Sequence, residues 1–282
     1  MAALLEWGSY RLDLEKRTHV MGVLNVTPDS FSDGGLFLES EKAIEHGIAM
    51  AEEGADFIDI GGESTRPFSR SVSSDEEMER VVPVIEALAR EIRAPLSIDT
   101  WKGVVAREAL KAGASMINDI SALRLDPDVS FAAAESGVPV ILMHMKGTPE
   151  NMQKNPVYDD LIGDIKGFLE DAVERAMEAG IREDLILIDP GIGFGKTFDH
   201  NLQIIRQLPS FLSLGRPLLI GTSNKAFIGE ILGKKVNERM TGTMATVAIA
   251  AMHGAHVVRV HNVKEAVETV RMVDAIKRGS VK

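Results

Sequence analysis

Eight short apolar runs, each followed by a stretch of helical periodicity, limit what this chain can build more than any other feature. The runs cover 20–24, 57–60, 96–98, 116–117, 138–143, 185–188, 218–220 and 257–260. Helical patterns lie at 40–54, 76–92, 102–112, 127–136, 161–179, 201–208, 244–253 and 263–277. Runs that are apolar at every position belong to strands covered on both faces, as in a parallel sheet. Strand and helix alternate with no composition break that would mark a linker, which predicts successive βαβ units. Eight such units close on themselves. The expected fold is therefore α/β, a single (β/α)8 TIM barrel over about 18–278, in one domain spanning 1–282. Residues 7–14, which include the loosely alternating GSYRLDL, are expected to form a short N-terminal hairpin at the barrel bottom.

Composition narrows the function classes. The 31 Lys and Arg against 42 Asp and Glu give a formal charge of −11. That balance argues against a general nucleic-acid or anionic-membrane surface, while leaving room for a local basic pocket. The chain has no cysteine, which excludes disulfides, thiolate zinc sites and cysteine nucleophiles. The opening MAALLEWGSYRLDL is too short and polar for a signal or membrane anchor, so a cytoplasmic protein is expected.

The stretch LILIDPGIGFGK (185–196) is where chemistry first shows. Its apolar run ends at Asp189, a carboxylate at the mouth of a core strand. Glycines at 191, 193 and 195 then open the backbone to close approach, and Phe194 and Lys196 sit among them. An acid, an aromatic and a base around an open loop suit a flat polar ligand, although the same pattern also makes a sharp turn with Asp189 as a cap. Other runs end in the same way. Asn25, Asp99, Asn118 and His144 directly follow apolar strands, and Thr65, Arg66, Ser223, Lys225, Arg259 and His261 lie at or just past such ends. In a barrel all of these converge on one face, where active sites are built.

Two chemical groups emerge. Asp99, Asn118, Asp189 and Lys225 combine donors and acceptors suited to a planar heterocycle, with Asp189 able to accept two parallel N–H bonds. Met143 and Met145, beside His144, are positioned either to pack an aromatic ligand or to fill the core. Asn25, Thr65, Arg66, Arg259 and His261 form an anion site suited to phosphate. The first and last strands are neighbours in a closed barrel, so Asn25 and Arg259 are expected to face each other. The amide oxygen of Asn25 is also a candidate ligand for Mg²⁺, with phosphates completing the shell. No catalytic serine order, HExxH or phosphate-binding lysine loop is present. His19, His46, His200, His253 and His256 have no metal-site spacing and are expected to be structural or surface residues.

Eight ordered blocks then carry a resemblance: GVLNVTPDSFSDGG (22–35), DIGGESTRP (59–67), SIDT (97–100), INDI (117–120), LMHMKGTP (142–149), DPGIGFGK (189–196), TSNKAFIG (222–229) and RVH (259–261). Across almost its whole length the chain resembles the bacterial dihydropteroate synthase family. The resemblance implies transfer of a hydroxymethyl-dihydropterin, from its diphosphate, to p-aminobenzoate. It implies that Asp99, Asn118, Asp189, Lys225 and Met143 hold the pterin, and that Asn25, Thr65, Arg259 and His261 hold the diphosphate and its Mg²⁺. Arg66, Pro67, Phe194 and Ala226 would receive p-aminobenzoate. Arg259, His261, Lys225 and Asp99 are the expected catalytic residues, and the loops at 27–37 and 62–74 the expected lids. A homodimer is implied, with the apolar ATVAIAAM segment near Thr246 as a contact or as ordinary barrel packing.

Three positions depart from the family pattern. Asn224 stands where the family usually has arginine, Ala226 where a polar residue often follows the lysine, and Asn262 where the motif usually closes on aspartate. The first two bear on p-aminobenzoate, the third on the cap of the last helix and the orientation of His261. They keep open a non-catalytic pterin-binding paralogue. A methyltetrahydrofolate–corrinoid methyltransferase, another pterin-binding barrel, and a Schiff-base aldolase using Lys225 are further alternatives.

Overall fold

A short hairpin precedes everything else. In the computed structural model, which describes residues 4–27, 35–64 and 71–280, Leu4–Trp7 (β1) and Tyr10–Asp13 (β2) pair antiparallel around Gly8. Leu5, Trp7 and Leu14 are buried as part of the main core. The hairpin lies outside the main sheet, as expected.

The main sheet has eight parallel strands: His19–Asn25 (β3), Phe57–Gly61 (β4), Leu96–Asp99 (β5), Met116–Asp119 (β6), Val140–Met143 (β7), Ile186–Asp189 (β8), Leu219–Ile220 (β9) and Val257–Val260 (β10). Their order is β8-β7-β6-β5-β4-β3-β10-β9. Ile188 bridges Leu218 in parallel, and its N–H donates to Pro217 O at 3.0 Å, so β8 meets β9 and the barrel closes. The strands are short, two to seven residues, and almost uniformly buried.

Helices fill the connections: Gly35–Glu52 (α1), Ser74–Glu91 (α2), Gly103–Ala112 (α3), Asp128–Ser136 (α4), Leu161–Glu178 (α5), Phe198–Arg206 (α6), Ala226–Leu232 (α7), Met240–Met252 (α8) and Val263–Arg278 (α9). Local chemistry sets their ends. Ser73 accepts from Glu76 N to open α2, and Gly113 and Gly137 end α3 and α4 in the left-handed region. α6 starts at Phe198, three residues before the expected position, because Thr197 and His200 cap each other; a histidine in the third position hides the box from a sequence pattern. α8 starts at Met240 rather than 244, running through Gly242, where a side chain would strike Ile228 of α7. α1 starts at Gly35 rather than 40, so the end of the expected 27–37 lid is helical. The strand expected from 138 begins at Val140, since Val138 donates to Ala133 O as part of the α4 cap and Pro139 has no N–H.

The barrel bottom is tied by two carboxylates. Asp274 of α9 accepts from Thr18 N at 2.8 Å and from Thr18 Oγ1 at 3.0 Å, fastening the last helix to the start of β3. Asp56 pairs with Arg17 and accepts from Val20 N at 2.9 Å. With the bottom closed in this way, the C-terminal ends of all eight strands open on the opposite face.

Candidate active site

Two strands otherwise made of apolar residues each carry a charge at an interior position: Asp59 in FIDIG and Arg259 in VVRV. β3 lies between them, yet the side chains meet inside the barrel mouth. Arg259 Nε donates to Asp59 Oδ2 at 2.6 Å and its Nη2 to Asp99 Oδ2 at 2.7 Å. Asn118 Nδ2 donates to the same Asp59 oxygen at 2.9 Å. Among the described residues, Asp59 Oδ1 and Asp99 Oδ1 are buried without a hydrogen-bond partner, and such atoms point to a ligand. Burial pushes the Asp99 carboxyl up to about 7; Arg259 opposes the rise and Asp59 adds to it. Arg259 is pushed above its ordinary value. Burial works against its charge, but Asp59 and Asp99 outweigh that. The bare backbone of Gly61 lies between Asp99 and the amide oxygen of Asn25.

Across the mouth, Asp189 ends β8. Its Oδ1 accepts from Gly191 N at 2.7 Å. Burial pushes this carboxyl up to about 6, against the Gly191 N–H and the charge of Lys225. The turn requires glycine at 191: φ is +71°, and a Cβ there would fall on the His144 carbonyl. The rest of the glycine loop is braced. Asn201 Oδ1 accepts from Gly193 N at 2.7 Å, Gln153 Nε2 donates to Gly193 O at 2.6 Å, and Tyr158 OH donates to Gly195 O at 2.7 Å. Phe194, held in this frame, lies beneath Lys225, whose Nζ is 4.4 Å from the ring centroid. Burial brings Lys225 down to about 8. Arg259 adds to that fall, and Asp189 and Asp99 resist it. The wall between the acids is apolar: Ile120, Met143, Met145 and Met152 cluster with Trp101 and Phe194.

Some expectations change here. Lys196 does not join Asp189 in the pocket. Its buried Nζ lies 2.8 Å from His144 Nδ1 and donates to Phe194 O at 3.0 Å. His144 likewise turns from the mouth to the edge of Phe168 in α5. Burial, then the Lys196 charge, hold it down to about 2, so it is a neutral acceptor. Asn25 and Arg259 are not hydrogen-bonded to each other among the described residues; the β10–β3 register sets Arg259 beside Met21, well below Asn25. His261 Nδ1 lies 2.9 Å from Ser223 Oγ, which also accepts from His261 N. Thr65, Arg66 and Pro67, and with them most of the two expected lids, lie outside the described residues. Ala226 is exposed at the first position of α7.

The sequence pattern missed Asp59, Ile120 and Trp101. A charge inside an apolar strand is the signal for Asp59, since such a residue must find a buried partner. It also missed the clamp at the base of the 64–71 connection. Lys102 Nζ donates to Glu63 Oε2, Glu77 Oε2 and Val72 O, each at 2.7 Å. Of the residues expected to bind ring or anion, the described ones gather at the strand ends on one face. That face brings an apolar cluster, two carboxylates, an amide and an ammonium together with a cationic corner at Arg259. Such an arrangement can grip a planar heterocycle by its polar edge and draw negative charge away from one end.

The ion pair at the centre makes a stability prediction. Arg259→Ala leaves Asp59 buried without its cation and is expected to cost about 3 kcal/mol, with Asp59→Ala in the same chain recovering more than half. Equilibrium urea unfolding measures both; strictly additive losses would mean that the pair is not coupled.

Comparison with known proteins agrees with this chemistry. A family described as pterin binding enzyme matches residues 21–261. The dihydropteroate synthase of Escherichia coli (strain K12) is 48% identical over 264 residues, which cover 94% of this chain and 93% of that protein. The Yersinia pestis dihydropteroate synthase, solved with a sulfonamide drug, has a TM-score of 0.93 at 48% identity and covers 98% of this chain and 99% of its own. The Xanthomonas albilineans dihydropteroate synthase with 4-aminobenzoic acid has a TM-score of 0.92 at 44% identity, over 98% and 99%. With its barrel closed and its strand ends carrying this set of side chains, the chain belongs to the pterin-binding enzyme family.

Proposed function

We infer that this protein is a dihydropteroate synthase. It condenses 6-hydroxymethyl-7,8-dihydropterin diphosphate with p-aminobenzoate to give 7,8-dihydropteroate and diphosphate. The observation that carries this reading is the set of groups at the strand ends: Asp189 and Asp99, both pushed toward their neutral forms by burial, with an apolar cluster of Ile120 and methionines and an arginine paired at Nε with Asp59 and at Nη2 with Asp99. The relatives named dihydropteroate synthase, one solved with 4-aminobenzoic acid, support it.

In this reading Asp189 accepts two N–H bonds from the amidine-like edge of the pterin, Asn118 and Asp99 take further donors, and Lys225 donates to a ring acceptor. Met143 packs against the ring face. Asp59 anchors Arg259 through Nε, so that Nη2, now on Asp99, can change partner to the diphosphate when the pterin takes Asp99. His261, steadied by Ser223, adds a second donor to that anion, with Asn25 and Thr65 beside it. The C–O bond breaks as negative charge grows on the leaving diphosphate, and Arg259 and His261 stabilise it. The electron-rich ring carries positive charge toward its methylene. The neutral aniline nitrogen attacks there and then gives up a proton, so no strong base is needed. Arg66, Pro67, Phe194 and the α7 start around Ala226 receive p-aminobenzoate.

Among the described residues no three His, Cys, Asp or Glu cluster to hold a metal. The amide oxygen of Asn25 facing the Gly61 backbone is a hard, single-point donor, which fits Mg²⁺ held chiefly by diphosphate oxygens and water. Bound there, Mg²⁺ would neutralise charge on the leaving group. No described helix is long and apolar enough to cross a membrane. The multiply charged substrate favours a cytoplasmic setting, with the chain acting as one catalytic unit.

A homodimer is the further part of this reading. α6, α7 and α8 pack on one another. They leave Leu202, Ile231, Leu232, Met240, Ile249 and Met252 exposed on adjoining elements. α8 is apolar around its whole circumference, which suits a helix covered on both sides.

Three measurements test these statements. Mixing protein, pterin diphosphate and Mg²⁺ is expected to give diphosphate release coupled to dihydropteroate formation when p-aminobenzoate is added, and chelation is expected to slow it; tight pterin binding without product would favour a non-catalytic paralogue. Pterin affinity is expected to fall as pH drops through about 6, because Asp189 must shed its proton to accept two donors, and Asp189→Asn should flatten that dependence. In sedimentation the protein is expected to run as a dimer and Ile249→Glu as a monomer; a parent monomer would remove the interface.

A further inference from the structure

We propose that Asp119, which the pterin chemistry does not use, is a positioning residue that holds the ring slot in shape. This rests on the reading of the slot as a pterin site. β6 ends in Asn118 and Asp119, whose side chains leave opposite faces of the strand. Asn118 points into the mouth and bonds Asp59. Asp119 points the other way and is fully buried. Its two oxygens divide between two backbone donors: Oδ1 accepts from Ser121 N at 2.7 Å and Oδ2 from Leu123 N at 2.8 Å.

The backbone between those donors is unusual. Ala122 and Leu123 both have positive φ, 53° and 64°, and both are buried. Two successive side-chain-bearing residues in the left-handed region are held there only when the surroundings impose it. Asp119 supplies the nearest constraint, since its two accepted bonds fix the N–H groups on either side of Ala122. Arg124 and Arg175 supply the rest. Arg124 donates to Ser121 O at 3.0 Å and to Met145 O at 3.1 Å, while lying over the Phe168 ring; Arg175 donates to Ala122 O at 3.3 Å.

This turn matters because of what it fixes. Ile120, its first residue, packs with Met143, Met145 and Trp101 in the slot wall. Through Arg124 the turn also holds the backbone of Met145. Asp119 therefore sets the spacing of the wall beside Asn118 without touching a ring lying in the slot, while the anion corner at Arg259 and His261 stands on other strands.

Asp119→Asn presents an amide N–H₂ to one of the two N–H donors and should release the turn. Pterin binding, followed by titration without turnover, is expected to weaken about tenfold, while kcat and the p-aminobenzoate KM change less than about threefold. Trp101 emission should shift as Ile120 moves; the chain's other tryptophan, Trp7, is in the hairpin and serves as a constant background. Adding Ala122→Gly to the same chain relieves the left-handed strain without removing a large buried side chain and should recover part of the pterin affinity. Unchanged pterin affinity in Asp119→Asn would overturn the proposal. So would an equal fall in kcat and both substrate affinities that Ala122→Gly fails to recover, which would mark Asp119 as holding the fold in general. Failure of the parent protein to bind pterin would instead overturn the reading of the slot, and this inference with it.

Discussion

The ion pair between Asp59 and Arg259 is the contact on which the rest of the site depends. Each charge sits at an interior position of a strand that is otherwise buried and apolar. Removing either from water is costly unless the other meets it. They meet across β3, so the pair also fixes how β4 and β10 stand on either side of that strand. Asn118 shares the same carboxylate oxygen and Asp99 takes the far nitrogen of the arginine. Four strands are thus connected through one guanidinium and one carboxylate.

Around this pair the mouth holds more charge than its burial easily supports. Asp99 and Asp189 are both pushed toward their neutral forms, and Lys225 is pushed toward its own. These shifts run in opposite chemical directions but have one cause, the loss of water. They leave the site able to exchange protons for ligand bonds near neutral pH. A ring that donates N–H groups to the acids and accepts from Lys225 supplies what water no longer does. A chain with a formal charge of −11 can hold an anion on the same terms. The long-range field is unfavourable, but Arg259 is bound locally to Asp99, whose carboxyl burial pushes toward its neutral form, and local geometry outweighs a screened net charge.

Much of this was legible in the sequence, and the exceptions have physical causes. Strand ends were readable because buried parallel strands are largely apolar, so the polar residue that closes a run marks the mouth. That rule located Asn25, Asp99, Asn118 and Asp189 together. It failed for His144, which follows β7 in the same way but turns toward Phe168 and Lys196. A strand end fixes the place of a residue, while the rotamer depends on which partner is available. Lys196 was misplaced for the same reason: its three acceptors, His144 Nδ1, His144 O and Phe194 O, come from the loop packed beneath and from its own turn. Asp59 was passed over because it lies inside a strand and not at its end. The Lys102 clamp joins Glu63, Val72 and Glu77 through tertiary contact alone, and no spacing in the chain announces it.

The three departures from the family pattern fall where main chain, more than side chain, sets the structure. Asn224 has φ +56°, which asparagine tolerates better than most residues. Its N–H donates to Thr243 Oγ1 at 3.1 Å and its carbonyl accepts from Arg239 Nη1 at 2.9 Å, so it joins the approach to α7 with α8 through its backbone. Ala226 is exposed at the first position of α7, where a backbone N–H faces outward whatever the side chain. Asn262 precedes α9 and makes no side-chain cap, while His261 is oriented by Ser223 from the neighbouring strand end. Among the described residues no hydrogen bond joins any of the three to Asp59, Arg259, Asp99 or Asp189. They flank Lys225 and His261 in the chain, so what they alter is how those two residues are held, while the Asp59–Arg259 pair and Asp189 stand on strands that the barrel itself holds in place.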